Sequence, residues 1–222
     1  MSTCLPDSAL GFLRDLSENN HREWFQANKK RYERELKRPS RAFVEAVAAE
    51  LERISPDHVT PAGKAISRIN RDIRFSKDKT PYNTHIWAAF HNQTRPKGGG
   101  AGFYVGVSLE DTGIGAGCWM PPKPHIDHLR AFIAEHHADL TRILAELEPV
   151  YGPVKGAKYK RVPRGFDKDH PAAELLKHKG FHVARTLPLS HATTEGYAAE
   201  VGRAFAELKP LVDFLDAGLA AD

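Results

Sequence analysis

Only two cysteines occur in the chain, Cys4 and Cys118, and no CxxC spacing accompanies them. A disulfide framework and a cysteine-ligated zinc site are therefore unsupported, and Cys118 reads as a small apolar residue in a strand-like stretch. No run approaches the roughly 20 consecutive apolar residues of a membrane span. The first eleven residues lack the basic start and apolar run of a secretory signal, so a cytoplasmic location is expected. Also missing are GxSxG, the phosphate-loop patterns GxxxxGKS and GxxxxGKT, HExxH and GxGxxG. Motifs thus lend nothing to hydrolase, nucleotidase, zincin or dinucleotide chemistry, and they identify no cofactor.

Excess charge is small as well: 32 basic against 28 acidic residues leave +4. The surface should mildly favour anions, far short of a nucleic-acid signature. With 41% apolar and 27% charged residues, the chain has the composition of a folded protein rather than a disordered one. Its 222 residues suit one domain with its own core, with helices over 8–55, strands over 64–121 and further helices over 124–217.

Periodicity supplies that division. Leu10, Leu13 and Leu16 space a first helix that Asn19 and Asn20 end. Asn20 is the expected N-cap of a second, which sets Trp24, Asn28, Tyr32 and Leu36 on one face. A third starts beside Pro39 and carries Phe43, Val47, Leu51 and Ile54. The period then changes to two. Phe103, Val105, Val107 and Leu109 alternate with Tyr104, Gly106 and Ser108; Ile114, Ala116, Cys118 and Met120 alternate with glycines 113, 115 and 117. With residues 86–91, and residues 65–75 as a fourth candidate, these form an antiparallel meander, and a glycine-rich loop over 97–102 joins two of its strands. Beyond Pro124, a stripe from Ile126 to Leu147 predicts one helix of about six turns ending before Pro149. A short helix around Leu175 and Leu176, a strand around Phe181 and Val183, and a last helix that Pro210 kinks or restarts complete the order. The expected class is α+β: an antiparallel sheet of about four or more strands in mid-chain, covered by N- and C-terminal helices.

Residues 66–82, ISRINRDIRFSKDKTPY, hold three arginines and two lysines within twelve positions. If extended, the segment sets Arg68, Asn70, Asp72 and Arg74 on one face and Arg71 on the other. Arginine forks and lysine ammonium groups suit phosphate or carboxylate oxygens. Arg68, Arg71, Arg74, Lys77 and Lys79 are therefore candidate ligands for a small, phosphate-bearing anion, with Asp78 to orient them or act as acid/base. Trp24, Asn28 and Tyr82 are candidate walls. Pairing of these arginines with Asp72 and Asp78 in a structural network is the competing reading.

Other features carry two readings each. Glycines 113, 115 and 117 open one face of a strand, for close helix packing or for a ligand, with Trp119 at the rim. His125, Asp127 and His128 are the best local metal candidates, yet scattered surface histidines explain them better, and no metal site is expected. Lys158, Lys160, Arg161 and Arg164, interleaved with Tyr159 and Phe166, suit a nucleic-acid or protein surface, but nearby acids nearly neutralise them, and a solvated loop or a second wall of the Arg68 site is the better reading.

The blocks FLRDLSENNHREWFQANKKRYE, ISRINRDIRFSKDKTPYNTH, GFYVGVSLE, GCWMPP, RGFDKDHPAAELLKHKGF and ELKPLVDFL occur in that order between Phe12 and about Leu215. Together they resemble the bacterial and fungal family catalogued as domain of unknown function 2461, with RFSKDKTPY the most diagnostic block. The resemblance implies a single domain without an assigned activity, cofactor or partner. Asn83 stands where that family's pattern usually has lysine, and Gly115-Ala116-Gly117 loosens its adjacent glycines.

Overall fold

The computed structural model describes residues 3–95 and 100–220. Its centre is a four-stranded antiparallel meander in the order β1 (Ile86–His91), β2 (Gly102–Val107), β3 (Asp111–Cys118) and β4 (Phe181–Pro188). The register pairs Ala88 with Val105, Val105 with Ile114 and Ala116 with Val183. One face is therefore continuous and apolar. Phe90, Phe103, Ile114, Ala116, Phe181 and Val183 on it are buried. The α+β class follows from this sheet and the helices before and after it.

The N-terminal helices are α1 (Asp7–Glu18), α2 (Arg22–Ala27), α3 (Lys29–Arg31), a π-helical turn (Tyr32–Lys37) and α4 (Arg38–Glu52). Leu10, Leu13 and Leu16 are buried on α1 as their spacing requires. Asn20 does not cap α2. That place belongs to His21, whose ring accepts the Trp24 N–H at 3.4 Å. Asn20 is drawn away because its amide exchanges two hydrogen bonds with the Tyr82 backbone, at 2.9 and 3.0 Å. The π turn has a local cause. Pro39 has no N–H for the Glu35 carbonyl and its ring crowds that group, so the helix widens and the Arg38 N–H reaches back five residues to the Glu33 carbonyl.

After the 3₁₀ turn Pro56–His58 and α5 (Ala62–Ala65), the chain enters β1 through residues 66–85. The C-terminal half contains α6 (Lys123–Glu135), α7 (His137–Tyr151), α8 (Ala173–Leu176), α9 (Ser190–Thr193) and α10 (Tyr197–Leu219). The expected six-turn helix is broken at His136, which has left the helical conformation (φ −110°, ψ 28°), and its second part continues through Pro149 to Tyr151. Nor does Pro210 interrupt α10. That helix covers the apolar sheet face, where Phe205 meets Phe103 at 4.9 Å and Phe90 at 5.8 Å. Part of the expected 97–102 loop, up to Gly99, lies outside the described residues.

Glycines 113, 115 and 117 are on the opposite face, so close packing of a helix is not their role. A Cβ on Gly115 would lie 2.4 Å from the Tyr104 ring, and one on Gly106 would lie 2.6 Å from the Trp87 ring. The bare backbone lets aromatic side chains of the same face pack down close to the sheet.

Candidate functional site

Residues 66–82 form no regular strand. The backbone at 69–71 pairs with 81–83: the Arg71 N–H donates to the Pro81 carbonyl (2.9 Å) and the Asn83 N–H to the Ile69 carbonyl (2.7 Å). Only isolated bridges accompany these bonds, Ile66 with Ala88 and Asn70 with Tyr82. The result is a hairpin-like loop with two short legs and an exposed tip over 72–80, where Phe75 is 93% exposed. Asn20 clamps one leg through Tyr82, and the Asn83 amide holds the Arg68 carbonyl at 2.9 Å.

This geometry separates the candidate residues. Arg71 turns inward along the loop and donates to Asp78 and to the Thr80 hydroxyl. Arg74 pairs with Asp72 through two hydrogen bonds, 2.9 and 2.6 Å, at the tip. Lys79 donates to the Ile73 carbonyl at 2.9 Å, and Lys77 is exposed. The backbone N–H of Thr80, then Arg71 and the Thr80 hydroxyl, hold the Asp78 carboxyl down at about 2. At neutral pH it is an acceptor that closes the loop. Tyr82 is buried with its ring stacked on Phe25 at 4.1 Å. Trp24 packs on Phe12 at 5.7 Å, and the Asn28 amide donates to the Trp24 carbonyl. Trp24, Asn28 and Tyr82 thus belong to an aromatic layer behind the loop.

Arg68 is placed differently. It faces a cleft of about 310 Å³ between the π turn and the start of the loop. Tyr32, Leu36, Lys37, Ser40 and Arg41 form one wall; Ser67, Arg68, Ile69, Asn70 and His85 form the other. Among the described residues, three permanent cations border the cleft and no carboxylate does. Lys37 and Arg41 pair with Glu33 and Glu45 at 2.8 and 2.9 Å, one turn away along exposed helix surface. Such i,i+4 pairs are weak and leave the cations available to a better-placed anion. The Arg68 guanidinium has no carboxylate partner among the described residues. Partial burial, then the Arg71 charge, push His85 below its ordinary value, so its ring is neutral near pH 7.

Lys37, Arg41 and His85 were not among the sequence candidates. A signal existed for two of them, because Lys37 and Arg41 are four apart beside Pro39, but only the folded helix turns them toward Arg68. Ser40 lies in the same wall, yet its hydroxyl donates to the Leu36 carbonyl of its own helix at 2.7 Å. It is not an activated nucleophile.

A second constellation resembles a catalytic triad in composition alone. Ser55 Oγ is 2.9 Å from His58 Nδ1, and His58 Nε2 is 3.2 Å from Asp216 Oδ2 without hydrogen-bond alignment. All three residues are buried. Asp216 also accepts the Asn92 amide and the Ala101 N–H, each at 2.6 Å. This network fastens both flanks of the 92–101 connection to α10, a structural task. His125 and His128 are likewise engaged locally, their Nδ1 atoms 3.0 Å from the Leu219 and Gly218 carbonyls at the end of α10.

No helix among the described residues is long and apolar enough to cross a membrane. No curated protein matches the chain. The family model described as conserved hypothetical protein (DUF2461) matches residues 8–214, nearly the full length, and the chain belongs to that family.

Proposed function

We propose that the protein binds a small anionic, phosphate-bearing ligand in the cleft between the π turn and the Ile66–Asn70 leg. The observation that carries this reading is the lining: Lys37, Arg41 and Arg68 converge on a concave surface that includes no acid. Arg68 has no carboxylate partner among the described residues, and the exposed pairs of Lys37 with Glu33 and Arg41 with Glu45 offset little of the positive potential in the cleft, which a bound anion would neutralise. Arg68 supplies a fork for two phosphate oxygens, while Lys37 and Arg41 add charge from the facing helix. Asn70, Ser67 and the neutral His85 ring offer uncharged hydrogen bonds, and Tyr32, Leu36 and Ile66 give the ligand an apolar wall.

The other basic residues of the loop have supporting parts in this reading. Arg71 and Asp78 close the loop and fix the leg that bears Arg68; Lys77 and Lys79 add long-range positive potential from the tip, where Arg74 is offset by Asp72. The reading stops at binding, because no activated nucleophile or raised carboxylic acid borders the cleft.

A thermal-shift screen of phosphorylated metabolites, with inorganic phosphate and pyrophosphate as probes, tests it. Ligand at 100 times its dissociation constant should add about 2.7 kcal/mol to stability. The gain should be lost in Arg68→Ala and kept in Arg74→Ala. Equal stabilisation of wild type and Arg68→Ala by every anion would refute the site.

A further inference from the structure

The open face of the sheet carries a second concave site, independent of the anion cleft and built from four strands and the turn after β3. It is a groove of about 460 Å³ whose walls include Trp87, Tyr104 and Trp119, with His91 and His182 at its sides and Gly117 in its floor. That volume falls within the range of about 300–1,000 Å³ usual for small-molecule sites.

Its construction is specific. Trp87 and Tyr104 stack on each other, centroids 4.7 Å apart and planes 23° off parallel. Each ring reaches over a glycine, Trp87 over Gly106 and Tyr104 over Gly115, so both pack down onto bare backbone that a Cβ would occupy. Trp119 stands up from the end of β3 with 75% of its surface exposed and packs obliquely on His182 at 5.3 Å. It is followed by Met120, a non-glycine residue at φ 41°, in a conformation that side chains adopt only when the surroundings impose it. The chain thus accepts local strain next to an exposed tryptophan. Such exposure of large aromatic rings marks a binding surface.

Charge indicates what occupies the groove. Lys155 pairs with His182 through two backbone hydrogen bonds, 2.8 and 3.1 Å, which places the lysine on the same face just past the imidazole. From Lys155 the chain continues through Lys158, Lys160 and Arg161, all exposed. Burial, then the neighbouring His58, lower the pKa of His91; burial, then Lys155, lower that of His182. Neutral imidazoles can donate or accept at the edge of a heterocycle, whereas two imidazolium rings would only donate.

We infer that this groove binds a nucleobase-bearing ligand, the base stacked among Trp87, Tyr104 and Trp119 and its phosphate directed toward Lys155. Aromatic rings on a sheet bordered by a basic segment are the parts that single-stranded nucleic acids require. A mononucleotide presents the same base and phosphate. The two sources share their chemistry and are separated by the test.

Fluorescence anisotropy of a dye-labelled ten-residue oligothymidylate, competed by the unlabelled oligomer and by thymidine monophosphate, supplies that test. Wild-type protein should bind at 50 mM salt. Trp119→Ala and Trp87→Ala should each weaken competition about 5- to 150-fold, the range expected for one lost stacking partner. Circular dichroism verifies that both variants fold. Lys155→Ala should lower the salt slope of log K by about 0.7, as for one phosphate contact on a single strand. Competition by the monophosphate within tenfold of the oligomer identifies a nucleotide site; a larger gap identifies a single-strand site. Arg68→Ala should bind as wild type, which distinguishes failure here from failure of the anion cleft. Absence of binding overturns the inference. So does binding that the tryptophan variants retain within twofold but that is lost when Lys158, Lys160 and Arg161 are neutralised.

Discussion

The carboxylate of Asp216 is a buried charge held by partners distant in the chain. Burial raises its pKa, but the His58 contact, the Asn92 amide and the Ala101 N–H together outweigh burial and leave it below the ordinary carboxylate value. A carboxyl whose folded value is depressed contributes stability that is fully present above its unfolded pKa, about 3.9, and lost as pH falls through the folded value. Asp216→Asn keeps the shape, removes the charge and brings an amide against the donors of Asn92 and Ala101. It should cost about 2–4 kcal/mol at pH 7, read by urea denaturation. The difference from wild type should narrow at pH 3. A gap that stays constant across that range would show that the charge is not what holds the connection. At this scale the sequence was partly silent: Asp216 looks like an ordinary polar position in an apolar helix, and its partners are more than 110 residues away.

Among the elements, strands were the most readable. Alternation of Phe103, Val105 and Val107 with Tyr104 and Gly106 follows directly from a sheet with one covered face, and β1 spans 86–91 as expected. The glycines of β3 were visible too, but not their purpose, because pattern alone does not say whether a helix or a ring fills the space above. Gly115→Ala discriminates. Its methyl group would meet both the Tyr104 ring and the Val183 carbonyl at 2.4 Å, and the second is backbone that cannot rotate away. The substitution should destabilise the protein by about 1–3 kcal/mol and lower its melting temperature, the usual cost of overpacking. An unchanged melting temperature would mean that the sheet can relax there. The π turn and the paired legs of the loop were not legible. Both depend on relations between residues, Pro39 with Glu35 and residues 69–71 with 81–83, that a period of 2 or 3.6 does not encode.

Across the whole molecule, α10 and the sheet enclose one apolar cluster that reaches from Leu5 to Leu219, and both proposed sites lie on surface that this core leaves uncovered. The cleft proposed to bind an anion opens at one margin, where the N-terminal helices meet the entry to β1. The aromatic groove opens on the sheet face that no helix among the described residues covers. Sequence reading reached the neighbourhood of the cleft through its local excess of arginine, and the folded chain divides that excess: Arg71 and Arg74 to acidic neighbours, Arg68 to the cleft. The most direct measurement of the central claim is a ¹H–¹⁵N NMR titration of the wild-type protein with pyrophosphate. Shift changes should saturate and centre on the amides of Lys37, Ser40, Arg41, Ser67, Arg68 and Asn70. Changes confined to the tip between Asp72 and Thr80, or none at millimolar pyrophosphate, would contradict the account.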